Sequence, residues 1–388
     1  MSMARAWLGL MLLTACYAPA DRGGTAVHSS TGPDAAPVID AADDGTDAGL
    51  DAAPPASPRI DAAFGSQCGK YNFGRLTPMT VLADGTILSC SNDGKISLIG
   101  SVQVCRPDGT STSLAIDDTA WACYLLSDRR VIVRHSKRAI VVSAHGEQGG
   151  LDGATPFGDA YDVGDTIHVT SGHTYDTATL AAKPAPPVTP PKPLASCLPS
   201  STGWWHILRV TDGITWAHPY TGQPDPAHPI VPFDDGARLL VEDDCSIVVV
   251  DPAPVGTPRT VRVYDRAGTS IATFPLTLAG EAAMIVDHRG GLVLSFPSTP
   301  TADLTLARID LATGALDAAF GVGGIAQLDW PGYVWHDDPD GSYGHVAMEV
   351  VGADGAGNLA VAVETSSYLA LPHAFFGGAN YARVLVDH

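Results

Sequence analysis

The stretch that decides the fold is GALDAAFGVGGIAQLDW, residues 314–330. Nearly the same phrase, PRIDAAFGSQCGKYNF, occupies residues 58–73. Both contain Asp-Ala-Ala-Phe-Gly, a further Gly three or four residues on, and then an apolar run. A phrase present near the two ends and absent between them indicates one repeat divided between the chain termini.

Two shorter phrases recur between these copies. The first is an apolar run, often with Arg, followed by Asp and Gly: VQVCRPDG from Val102, ILRVTDG from Ile207, VRVYDRAG from Val261 and LARIDLATG from Leu306. A weaker copy is AIVVSAHGEQGG from Ala139, and a last one, YARVLVDH from Tyr381, stops at the C-terminus. The second phrase is apolar run, Asp-Gly or a similar turn, apolar run, as in MTVLADGTILSC, YLLSDRRVIVRH, AYDVGDTIHVT, VPFDDGARLLVE, MIVDHRGGLVLSF and MEVVGADGAGNLAVAVE. Val, Ile and Leu favour strands, and Asp-Gly supplies the positive φ of a tight hairpin. Each unit therefore holds about four short strands. Such a small sheet cannot cover both faces alone, but it can when stacked radially against copies of itself. The fold expected is all-β, a β-propeller, with six blades from the count of second phrases and seven as the alternative. The first and last repeats share a blade, which closes the ring and leaves no open sheet edge.

Composition agrees with this reading. The 388 residues include 41 Gly and 30 Pro, and only 16% are charged, which favours strands and turns over helices. A net charge of −20 speaks against nucleic acid as a partner. The pairs Arg129-Arg130 and Lys137-Arg138 form no basic stripe and read as solvated strand ends.

The N-terminus is of another kind. MSMARAWLGLMLLTACYAPA has a positive n-region at Arg5 and an apolar run from Trp7 to Leu13, too short to span a bilayer. Leu13-Thr14-Ala15-Cys16 resembles the bacterial lipobox, which implies cleavage before Cys16 and lipidation of that residue. Residues 1–15 are then a signal peptide. Residues 16–58, rich in Ala, Asp, Gly and Pro, form a lipidated, extended tether that cannot bury enough apolar surface to fold. Residues 59–388 form the propeller. The expected location is the cell envelope, lipid-anchored, in the outer membrane of a Gram-negative bacterium.

LARIDLATGALDAAFGVGGIAQLDW followed by MEVVGADGAGNLAVAVE resembles the delta-60 repeat, a propeller-forming repeat of exported bacterial proteins. The resemblance covers residues 304–388 and 59–90 and is weak over 102–300, where the Asp-x-x-Phe-Gly element is missing. It implies a propeller and carries no catalytic residues.

Six cysteines remain if Cys16 bears lipid: Cys68, Cys90, Cys105, Cys123, Cys197 and Cys245. An even number in an exported chain suggests disulfides, with the first four pairing among themselves and Cys197 with Cys245. No catalytic motif is found. Asp337, Asp338 and Asp340 before Gly341 resemble part of a calcium loop, but the closing Glu is missing. Trp330, Tyr333 and Trp335 could stack on a sugar or peptide. The expected function is a noncatalytic binding or scaffold module for an envelope protein, peptide or glycan, with no cofactor. The alternative is a calcium-dependent propeller hydrolase of esterase or lactonase type.

Overall fold

The computed structural model describes residues 58–386, apart from 62–63, 65–70, 73–75, 93–98, 136–138, 152–158, 198–204, 219–220, 255–256, 279, 282, 298–301, 330–335, 338–342 and 370–373. All the described residues fall in the unit spanning Asp51–His388. The signal peptide, Cys16, the tether up to residue 57, Cys68, Trp330, Tyr333, Trp335, Asp338 and Asp340 lie outside them.

The described residues form an all-β propeller of antiparallel sheets. The chain enters through β1 (Arg59–Ile60) and β2 (Tyr71–Asn72), whose partner comes last. Blade one is β3 (Leu76–Val81), β4 (Ile87–Asn92), β5 (Ile99–Cys105) and the first part of β6 (Ser111–Leu125). Residues 111–115 of β6 pair with β5, whereas residues 122–125 pair with β7 (Val131–His135). The second part of β6 is thus the inner strand of blade two, which β8 (Ala139–Ser143) and β9 (Gly146–Leu151) complete. Blade three is β10 (Ala160–Val163), β11 (Thr166–Val169), β12 (Thr174–Asp176) and β13 (Ala182–Lys183). Blade four is β14 (Ala195–Cys197), β15 (Trp205–Val210) and β16 (Gly213–Ala217), with single bridges from Pro224 and Val231 at its outer edge. Blade five is β17 (Arg238–Val241), β18 (Ile247–Val250), β19 (Arg259–Tyr264) and β20 (Ser270–Leu276). Blade six is β21 (Ala283–Val286), β22 (Gly291–Phe296), β23 (Leu304–Asp310) and β24 (Ile325–Leu328). Blade seven is β25 (His336–Asp337), β26 (Tyr343–Ala353), β27 (Leu359–Leu369) and β28 (Ala374–Leu385), with β1 and β2 laid along β28.

The expected count of six blades is corrected to seven. Hydrogen bonding gives six sheets, but the seven-stranded one holds two blades fused through β6. The count fell short at blades four and five. The β14–β15 hairpin has no Asp-Gly turn. The turn between β17 and β18 places Cys245, not Gly, at its left-handed position (φ 72°).

The ring closes as the divided phrase requires. Arg59 pairs with Leu385 and Ile60 with Val384, and Asp61 N–H donates to the Arg383 carbonyl at 2.8 Å. Blade six makes the same turn within one stretch of chain: Ile309 bridges Leu316, and Asp317 N–H donates to the Arg308 carbonyl at 2.9 Å. The side chains match too. Arg308 Nε lies 2.6 Å from Asp287 Oδ2, and its Nη1 contacts Asp317. Arg383 Nη2 lies 2.7 Å from Asp354 Oδ2, with Asp61 on its other side. Phe320 packs between blades six and seven, and Phe64 packs with Ile87 and Tyr381 between blades seven and one. The Asp-Ala-Ala-Phe-Gly phrase is therefore a device in which Asp grips the third strand's Arg and Phe fills the junction with the next blade.

Apolar clusters occupy the junctions between neighbouring blades. Disulfides reinforce two regions. Cys90 on β4 joins Cys123 on β6, and Cys197 on β14 joins Cys245, linking blades four and five. Cys105 is also disulfide-bonded.

Candidate functional site in the central channel

The inner strands of the blades form a ring: β3 meets β6, β6 meets β10, β14 meets β17, β17 meets β21, β21 meets β26, and β26 returns to β3. β10 and the chain leading into β14 meet around a cavity of about 310 Å³. Three successive blades line it. Blade two supplies Tyr124, Leu125, Ser127 and Arg129; blade three supplies Tyr161 and Asp162; blade four's approach supplies Lys192, Leu194 and Ser196.

Asp162 is the unusual member. It sits inside β10, between Tyr161 and Val163, and is only 5% exposed. Its Oδ1 accepts hydrogen bonds from Ser127 N–H at 2.8 Å and Ser127 Oγ–H at 2.9 Å. Its Oδ2 accepts none from any described residue, and Asp162 faces the cavity. Burial disfavours the charged form, and the Asp128 charge adds to this against the Ser127 bonds. The pKa is pushed up to about 6.

The cations at the cavity are already engaged. Lys192 Nζ lies 2.9 Å from Asp159 Oδ2. Arg129 Nη1 donates to Thr80 Oγ1 at 3.1 Å, and Nη2 lies 2.9 Å from Asp243 Oδ1. That last contact joins the inner turn of blade two to the inner turn of blade five. Far from being solvated strand ends, Arg129 spans the channel mouth, and Arg130 holds Asp128 at 2.6 Å and bonds the Thr177 carbonyl at 2.6 Å.

Arg129 also takes the left-handed position of its turn (φ 65°), which Gly85 fills in blade one and Gly357 in blade seven. A side chain there costs about 1–2 kcal/mol relative to Gly, so the local backbone rule yields to the bridge.

Beyond Asp243 lies a second cavity of about 480 Å³ between blades five and six, lined by Glu242, Asp243, His288, Arg289 and Ile271 among others. His288 Nδ1 is 3.2 Å from Glu242 Oε2 and 3.7 Å from Asp243 Oδ2, close enough for charge pairing though without an aligned hydrogen bond. Glu242 foremost, with Asp243, holds the His288 pKa above its ordinary value against burial.

One Ser–His pair adjoins the channel cavity. Ser196 Oγ is 2.9 Å from His206 Nδ1. His206 is fully buried, its Nε2 has no partner, and burial pushes its pKa down to about 4. Among the described residues the pair has no third group to orient the imidazole as in a Ser–His–acid triad.

Of the residues singled out in the sequence, Asp337 lies in β25, opposite Tyr343. Among the described residues, no three His, Cys, Asp or Glu side chains group as a metal site requires. The channel residues were missed because Asp162 looks, in AYDVGDT, like another turn aspartate. Its one distinguishing mark is its place inside an apolar strand rather than at the tip.

No protein-family model matches the chain, and no curated protein does. Among solved structures it is similar to BBS1N in complex with ARL6DN, at 9% identity and TM-score 0.41, over 83% of this chain and 98% of that one. A gluconolactonase from Xanthomonas campestris aligns at 13% identity and TM-score 0.33, over 84% of this chain and 95% of that one. The calcium-binding protein regucalcin from Agrobacterium tumefaciens aligns at 12% identity and TM-score 0.30, over 62% of this chain and 86% of that one. At these levels the likeness carries no argument about function.

Proposed function

We propose that this chain is an exported, lipid-anchored propeller of delta-60-repeat type that binds a small polar group of an envelope protein, peptide or glycan in its channel without transforming it. The observation that carries the binding role is Asp162: a buried carboxyl with one oxygen free, facing a cavity whose cations are already paired. The oxygen that Ser127 leaves unused opens on the cavity, where a ligand donor can take the place of water. The noncatalytic role is supported by the Ser196–His206 pair, whose imidazole has no orienting third group among the described residues. The anchor is supported by the Leu13-Thr14-Ala15-Cys16 motif, and the acidic segment that follows it suits a solvated tether between anchor and propeller.

Two measurements test this. Metabolic labelling with a fatty-acid precursor is expected to mark the wild-type chain and not Cys16→Ser; label retained by the variant would remove the anchor. Screening envelope peptides and glycans against the full chain by thermal shift is expected to find ligands whose effect is lost in Asp162→Asn. Turnover of a ligand, with products detected by mass spectrometry, would replace the binding role with an enzymatic one.

A further inference from the structure

We infer that the channel cavity takes a primary ammonium group on a short apolar stem, with the ammonium donating to Asp162 Oδ2. This rests on the binding-module reading and names the ligand chemistry of the same site.

The argument is one of unfilled capacity. Asp162 Oδ1 is fully used by Ser127, while Oδ2 remains an acceptor facing the cavity, so the ligand must bring a donor. The charged groups on every side decide between a cationic and a neutral donor. On blade two's turn, Asp128 is neutralised by Arg130 and Arg129 by Asp243. On blade four's approach, Lys192 is neutralised by Asp159. On β11, His168 stacks on Tyr161 rather than on Asp162 and is held neutral by burial, and His206 behind Ser196 likewise. Among the described residues Asp162 is left as the unpaired charge of the cavity, and a ligand cation supplies its missing partner. Lone-carboxylate geometry suits a directional N–H donor better than a metal ion, which needs several oxygen ligands. Beside Tyr124 and Ser196, the rest of the wall offers apolar surface from Leu125, Leu194 and the body of Tyr161, whose hydroxyl is turned away to bond the Pro190 carbonyl at 2.6 Å. About 310 Å³ has room for an aminoalkyl group and not for a large ligand. A lysine side chain on a peptide and a free small amine share this chemistry.

The test uses the full chain and calorimetry with three probes: n-butylammonium, the peptide Gly-Gly-Lys-Gly-Gly, and 1-butanol as the neutral analogue. Binding requires ionised Asp162, so n-butylammonium affinity is expected to fall about tenfold from pH 7.5 to pH 5, given a pKa of about 6. Asp162→Asn keeps an acceptor for Ser127, and a cooperative melt shows that it is folded. It is expected to lose at least tenfold at pH 7.5 and to show no pH dependence. Tighter binding of the peptide than of n-butylammonium supports the inference with a protein lysine as ligand; tighter binding of n-butylammonium supports it with a free amine. If 1-butanol binds as tightly as n-butylammonium, or if Asp162→Asn leaves affinity unchanged, the ammonium inference is overturned while the channel remains a binding site. If none of the probes binds, both readings are overturned.

Discussion

Arg129 and Asp243 lie 2.9 Å apart across the channel mouth, although 114 residues separate them and they belong to blades two and five. A propeller blade ordinarily touches only its two neighbours. This pair, continued on one side to Thr80 of blade one and on the other to His288 of blade six, joins turns that the ring would otherwise hold apart. Arg129 lines the channel cavity and Asp243 the cavity between blades five and six.

The bridge is opposed by backbone strain, and substitution separates the two effects. Arg129→Gly removes the exposed ion pair, worth at most about 1 kcal/mol, and relieves the left-handed strain. Its stability is expected within about 1 kcal/mol of wild type. Arg129→Ala loses the pair and keeps the strain, so it is expected to be about 1 kcal/mol less stable than Arg129→Gly. Urea titration of the two variants decides this; an alanine variant as stable as the glycine one would show that the turn is not strained.

Arg308 holds Asp287, whose side chain is 2% exposed, together with Asp317. Removing the guanidinium leaves Asp287 with the N–H groups of Arg289 and Gly291 on Oδ1 and no countercharge on Oδ2. Arg308→Ala is expected to cost about 3–5 kcal/mol. Arg106→Ala, which loses an exposed bond to Thr112 and a solvent-screened attraction to Asp108, is expected to change stability by about 0.5 kcal/mol or less. Denaturant midpoints compare them, and equal values would remove the Arg–Asp grip from the account.

Asp162 makes stability depend on pH in a direction opposite to that of most paired carboxylates. Its folded pKa of about 6 lies above the unfolded value of 3.8, so the folded form holds its proton more tightly. That contribution is complete below about pH 4 and is lost as pH rises through 6. Asp162→Asn is therefore expected to match wild type near pH 4 and to gain on it as pH rises, by up to about 3 kcal/mol at pH 8. His206, with its pKa lowered to about 4, works in reverse: its contribution is present above 6.5 and lost as pH falls. It is common to both proteins and cancels in the comparison. Melts of the two across pH 4–8 give the answer; parallel curves would mean that Asp162 is not buried as described.

The repeated Asp-Ala-Ala-Phe-Gly phrase made the ring and its closure legible, because Asp61 and Asp317, and Phe64 and Phe320, have matching work. Alternation and turn chemistry revealed most hairpins. Cys245 hid blade five's turn, since a disulfide residue at positive φ bears no resemblance to a glycine turn. The β6 strand hid the boundary between blades one and two, because an uninterrupted strand carries no punctuation. The site was illegible for a different reason. Ser127, Asp162 and Ser196 come from three blades, and only the folded ring sets them side by side. Nothing local marks Arg129 as a bridge, because its partner is 114 residues away.

The shared blade is the centre of this account, and the thermal melt of a chain lacking residues 380–388 tests it most directly. The deletion removes the pairing of β1 with β28 and the buried Tyr381, Ala382, Val384 and Val386. Burial of each large apolar side chain contributes about 1.5–3 kcal/mol, and the lost backbone bonds about 0.5–1.5 kcal/mol each. Together these are comparable to a domain's whole stability of about 5–15 kcal/mol. The truncated chain is expected to lose its cooperative transition or to melt far below the full chain. A cooperative melt with an unchanged midpoint would contradict closure through the termini.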